Sequence, residues 1–160
     1  MARSKHNKKS KASFAGIPRV VMECPDYINL KANSIRLLNE MAYQFKGFNN
    51  GDLSPSWTLM KERGFASKAT LQKALHQLVE SRLLILTRQG GKNLASLYAV
   101  TWQPIDECPK KRLELGPTKQ PFRNFHLERN QGWPKIDSLV QKLGKLGTET
   151  EPVKVLKKAS

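Results

Sequence analysis

The chain has 160 residues and a mass of 18.1 kDa, room for one ordinary domain with tails but not for two large ones. Hydrophobic residues make up 39%, and Lys plus Arg outnumber Asp plus Glu by 28 to 13, a net charge of +15. Such an excess repels itself in a compact chain, which argues against an ordinary enzyme and for a polyanionic partner. A membrane span is excluded by the lack of any apolar run near the roughly 18 residues it needs.

The charge falls in three equal parts. Residues 1–13, 14–104 and 105–160 each carry a net +5. The first part holds Arg3, Lys5, Lys8, Lys9 and Lys11 with almost no apolar residue, so 1–13 is expected to be a disordered basic arm. No apolar stretch follows it, so it does not read as a secretory signal. Cys24 and Cys108 lie far apart and make neither a disulfide framework nor a zinc spacing, which points to a reducing cytoplasm.

In chain order, 14–30 contains Ile17, Val20, Val21, Met22 and Ile28, and its two prolines, Pro18 and Pro25, predict extended chain. Asn33-Ser34 reads as a capping pair ahead of Ile35, Leu38, Met41, Ala42 and Phe45, whose spacing predicts a helix over 34–45. Residues 47–51 stop it with Gly and Asn. Ser54-Pro55 reads as N-cap and first helical residue of a short helix over 55–63, ended by Gly64. Ser67 then caps a third helix reaching Ser81. Its apolar face is Leu71, Ala74, Leu75, Leu78 and Val79, and Ala69, Thr70, Lys73, His76 and Gln77 fall on the other face. Strands are predicted over 83–87 and 96–102, joined through Gly90-Gly91.

Three helices followed by a hairpin read as α+β, mainly helical, in the form of a winged helix-turn-helix. The stretches 67–78, 81–85, 49–54, 87–91 and 97–102 together resemble the winged helix-turn-helix DNA-binding proteins of bacterial plasmids, prophages and genomic islands. The resemblance covers 14–108 and implies double-stranded DNA as partner. It also implies major-groove reading by helix 67–81 and backbone or minor-groove contact by the wing over 87–96.

The residues themselves suggest how. Base edges are read by side chains near the N-terminus of a helix lying in the major groove. Ser67 and Thr70 offer hydroxyls, Lys68 and Lys73 cations, Gln72 a bidentate amide, and His76 and Gln77 follow one turn on. Between 67 and 92 five cations, Lys68, Lys73, Arg82, Arg88 and Lys92, face one acid, Glu80, whereas a merely solvated surface mixes signs. Arg88, Lys92 and Asn93 flank glycines that let a backbone approach phosphate. Lys61 and Arg63 end the second helix, where they either touch phosphate or complement the helix dipole.

His6, His76 and His126 lack ligand spacing, so no metal is expected, and no phosphate-loop, dinucleotide, nucleophile-elbow or zinc-protease motif occurs. No cofactor and no small-molecule ligand are expected. Residues 109–134 read as a basic linker in which Lys110-Lys111-Arg112 is a cluster able to touch a nucleic-acid backbone and Phe122 and Phe125 are apolar spots able to dock back on the domain. Residues 135–146 carry Ile136, Leu139, Val140, Leu143 and Leu146 at amphipathic-helix spacing, and 147–160 read as a disordered tail. The expectation is a non-enzymatic, sequence-specific DNA-binding protein, cytoplasmic and nucleoid-associated, with a homodimer as the expected form on paired half-sites. It would serve as a transcriptional regulator or a plasmid or phage maintenance factor. The alternatives are a replication-initiation or segregation accessory protein, a general RNA- or nucleic-acid-binding protein, and a protein-docking module.

Overall fold

The structure, a computed structural model, describes residues 14–133. The basic arm 1–13, the amphipathic helix 135–146 and the tail 147–160 lie outside the described residues.

The segment expected to be extended holds two short helical turns, α1 (Arg19–Met22) and α2 (Pro25–Ile28). The prolines that argued against a helix start these instead: Pro18 is the N-cap of α1 and Pro25 the first residue of α2. Proline has no N–H to lose at a position where that N–H would be unbonded anyway. Cys24 Sγ accepts from the Tyr27 N–H at 3.4 Å and so caps α2.

α3 (Ala32–Gln44) begins two residues before the expected start, with Lys31 as N-cap. Ser34 is therefore not a cap but a buried residue inside the first turn. Leu37, Leu38, Met41 and Ala42 line its buried stripe. α4 (Trp57–Glu62) likewise starts after Ser56 rather than after Ser54. It ends where Gly64 takes φ 87°, its N–H donating to Lys61 O at 3.0 Å and that of Phe65 to Met60 O at 3.0 Å. This is a Schellman turn that drives Phe65 into the core. α5 (Lys68–Glu80) starts as expected: Ser67 Oγ accepts from the Thr70 N–H at 3.1 Å. Leu71, Ala74, Leu75 and Leu78 are buried, and Val79, expected on the same face, is 38% exposed.

A second Schellman turn closes α5. Arg82 takes φ 55°, and the Leu83 N–H reaches Leu78 O at 3.0 Å. β1 (Leu84–Arg88) and β2 (Leu97–Val100) then pair antiparallel, Leu84 opposite Val100 and Arg88 opposite Leu97, with a bulge between Leu86 and Arg88. On the far side of β2, Leu53 and Tyr98 exchange both backbone hydrogen bonds, at 3.1 and 2.8 Å. The fold of the described residues is thus helices plus a small antiparallel sheet, an α+β arrangement.

Asn50 joins the α3–α4 connection to the exit of β2. Wholly buried, its amide donates to the carbonyls of Val100, Gln103 and Pro104 at 2.8–3.1 Å and accepts from the Val100 N–H at 2.8 Å. A turn-forming reading of Asn50 misses this role, because the partners lie some 50 residues on.

The expected linker over 109–134 is instead, through residue 133, packed on the domain. The Glu114 and Leu115 N–H groups donate to Thr87 O at 2.8 and 3.1 Å. α6 (Phe125–Asn130) buries Phe125 in the common core, and Trp133 packs against its edge. Arg123, 8% exposed, bonds Glu128 and Asp26 at 2.6 and 2.9 Å and donates to Ser81 O at 3.0 Å. Burial disfavours its charge, but the two carboxylates outweigh this and hold the guanidinium pKa above its ordinary range. Phe122 stays largely at the surface.

Candidate nucleic-acid interface

α4 leads through Gly64–Ser67 into α5, whose apolar stripe is spent on α3 and the sheet. What remains outward on α5 is Lys68, Ala69, Gln72, Lys73, His76 and Glu80, all exposed. Among the described residues neither Lys68 nor Lys73 has a carboxylate within 4.0 Å. His76 Nδ1 lies 3.2 Å from Glu80 Oε2, an ion pair when the imidazole is protonated. A groove of about 560 Å³ runs between this face and the start of α3, with Lys31 and Asn33 on one bank and Gln72, Lys73 and His76 on the other.

Several expected contact residues are engaged elsewhere. Gln77 is not free on the outer face. Its Oε1 accepts from the Lys31 N–H at 3.1 Å and the Ser34 hydroxyl at 2.6 Å, and its Nε2 donates to Asn29 O at 3.3 Å. It ties α5 to the α2–α3 junction. The Ser67 and Thr70 hydroxyls lie 2.9 Å apart and share one hydrogen bond, so both are used in the cap and half-buried. Arg63 bonds Glu40 at 2.6 Å and lies over the Tyr43 ring, 4.7 Å from its centroid, while its carbonyl accepts from Arg36 at 2.7 Å. The Glu40 bond and charge raise its pKa, and it braces α4 against α3. Lys61, on the same helix, is exposed and without a carboxylate within 4.0 Å among the described residues.

The hairpin shows the same division. Lys92 and Asn93 form its tip and are exposed, between mutual backbone bonds of Gly91 and Leu94 at 2.9 and 3.1 Å. Asn93 takes φ 60°, which asparagine tolerates, so its identity is explained by the turn. Gly90 is needed by the hairpin itself. A Cβ there would lie 2.5 Å from Ser96 N and 2.6 Å from Leu94 O, so it is the hairpin's own return arm that needs the space. Arg88 points back into the molecule, its Nη1 donating to Lys111 O at 2.7 Å and its Nη2 to Ala95 O at 2.8 Å. Arg82 is half-buried toward Arg123; burial and that neighbouring cation lower its pKa. Of the five cations between 67 and 92, therefore, Lys68, Lys73 and Lys92 face solvent and Arg82 and Arg88 face the C-terminal extension.

Sequence reasoning missed Lys31, which closes the groove at the N-cap of α3. No local pattern marks it, since it joins α5 only through packing. Among the described residues no group of three or more His, Cys, Asp and Glu side chains is placed to hold a metal ion. No helix among them is long and apolar enough to cross a membrane. Comparison with family models, curated proteins and solved structures finds no match to the chain.

Proposed function

We propose that the chain is a winged helix-turn-helix protein that binds double-stranded DNA sequence-specifically, without catalytic activity or cofactor. In this reading α4 and α5 are the helix-turn-helix and α5 enters the major groove. The β1–β2 hairpin is the wing, and Leu53 supplies the short strand position that completes its sheet. The observation that carries the reading is the outer face of α5. Lys68, Gln72, Lys73 and His76 stand exposed on one helix, and among the described residues neither lysine has a carboxylate within 4.0 Å. A helix of this kind fits a groove about 12 Å wide, with lysines suited to guanine acceptors or phosphate and the Gln72 amide suited to adenine. Lys92 at the hairpin tip and Lys61 at the end of α4 supply flanking phosphate contacts. The biological role that fits is transcriptional regulation or maintenance of a plasmid or phage, exerted as a homodimer on paired half-sites.

The test is footprinting of the full-length protein on genomic or plasmid DNA at two salt concentrations, beside a Lys68→Ala, Lys73→Ala variant. Discrete sites that persist at the higher salt and vanish in the variant are expected. Their spacing reports the oligomer, since half-sites one helical turn apart imply a two-fold dimer. Diffuse protection that collapses with salt equally in both proteins would refute the reading and leave an RNA-binding or coating role.

A further inference from the structure

We propose that the loop 110–112 is a phosphate-contacting extension of the hairpin and that Arg88 is the positioning residue that holds it there. The inference rests on the DNA-binding reading above.

One planar guanidinium bonds two carbonyls, Lys111 O at 2.7 Å and Ala95 O at 2.8 Å, so the 110–112 backbone is stapled to the return arm of the hairpin. Ala95 follows the tip residue Asn93 by two positions. The Arg88 Nε is also buried and, among the described residues, its N–H has no partner. Among the described residues no carboxylate lies within 4.0 Å of the group, so its charge stays uncompensated beside the loop. A second attachment fixes the segment from below. The carbonyl of Thr87, at the β-bulge, accepts from Glu114 and Leu115, and the Gln89 N–H donates to Glu114 Oε1 at 3.0 Å.

The side chains of the loop divide by partner. Lys111 is exposed but paired with Asp52, Nζ to Oδ1 3.2 Å. Lys110 and Arg112 are exposed and, among the described residues, have no carboxylate within 4.0 Å. Arg112 is held at φ 48°. Together with Lys92 they give the hairpin flank three exposed cations that, among the described residues, have no carboxylate within 4.0 Å. The exposed side chains of 110–112 are all cationic. That composition suits phosphate oxygens, which position a protein on duplex DNA without reading sequence. Arg88 itself, turned inward, touches no DNA and acts through the loop.

The experiment measures full-length protein binding across a salt series, on a random-sequence duplex and on a duplex carrying a footprinted site. Lys110→Gln with Arg112→Gln should lower the slope of log affinity against log salt by about 1.8, two contacts at about 0.9 each. The loss should be equal on both duplexes, so the ratio of specific to random affinity is unchanged. Arg88→Met should weaken binding alone but add little in the Lys110→Gln, Arg112→Gln background. An unchanged slope in that double variant, with wild-type binding intact, overturns the proposal and leaves the DNA-binding reading standing. Full additivity of Arg88→Met would assign Arg88 a phosphate of its own and also overturn it. Failure of the wild type to bind either duplex would sink both. Since Lys110 and Arg112 are exposed, their substitution tests the loop even if Arg88→Met unfolds, and a melting curve on each variant separates the cases.

Discussion

The Ser34 hydroxyl donates to Gln77 Oε1 at 2.6 Å across 43 positions of sequence, inside the first turn of α3 and near the end of α5. The same amide serves the Lys31 N–H and Asn29 O, so one side chain sets how α5 is rotated and seated against α3. Gln77→Ala leaves the buried Ser34 hydroxyl and the helix N-terminus without partners. A loss of about 1–3 kcal/mol in urea unfolding is expected. Ser34→Ala, which removes the buried donor itself, should cost less, and a cycle of the two variants should show strong coupling.

A fragment ending at residue 108 should be much less stable than one ending at 133. The cut removes Arg123, leaving Asp26 and Ser81 O unpaired, and removes Phe125 from the core. Unburying the Phe125 side chain alone is worth about 1.5–3 kcal/mol. Equal denaturation midpoints for the two fragments would show that the extension only decorates the surface.

Arg82→Gly should stabilise the protein by roughly 1 kcal/mol. Arg82 closes α5 at φ 55°, where a Cβ is disfavoured and glycine is not. The change also removes a half-buried cation next to Arg123. A lower melting temperature for this variant would mean that the Arg82 side chain contributes packing that outweighs both effects.

Stability should fall at alkaline pH. Burial raises the pKa of the Cys24 thiol, and burial likewise raises that of the Tyr98 phenol. Both groups are neutral when protonated, and their folded-state values stand above the unfolded ones. Their contribution is therefore whole below the unfolded values and is lost as pH rises through the raised ones, from about pH 8.5 upward. Denaturant titrations across that window should show a decline that Cys24→Ala reduces. The same burial predicts that Cys24 reacts with a thiol reagent only on unfolding.

Much of the frame is legible in the sequence. The hydrophobic spacing of α3 and α5, the cap at Ser67, the stop at Gly64 and the two strands follow from periodicity and local backbone preference, forces that act within a few residues. The two failures among the helices have local causes too. Pro18 and Pro25 weigh against a helix interior but favour its first turn, and short helices of one turn leave no periodic trace. The starts of α3 and α4 also differ from expectation, because Ser34 and Ser54 look like caps until tertiary partners take them up.

The interface residues divide the same way. By itself the sequence determined that Ala69, Lys73 and His76 of α5 turn away from the core, because burial of one stripe dictates the opposite face, though it misplaced Thr70, Gln77 and Val79. It also determined that this face and the hairpin tip are rich in cations. Only the tertiary structure decided which of those polar groups remain available. Gln77, Arg63 and Arg88 all look exposed in a helical or strand projection, yet each reaches a partner on another element, and Arg82 is half-buried beside Arg123. Phe125 stood out as an apolar spot and does dock on the core, but the ion pairs of Arg123 and the four bonds of Asn50 were beyond local pattern. The physical reason is one of range. Periodicity reports where water is excluded, but a hydrogen bond or ion pair needs a specific acceptor at about 3 Å, and chain folding alone brings that acceptor from tens of residues away.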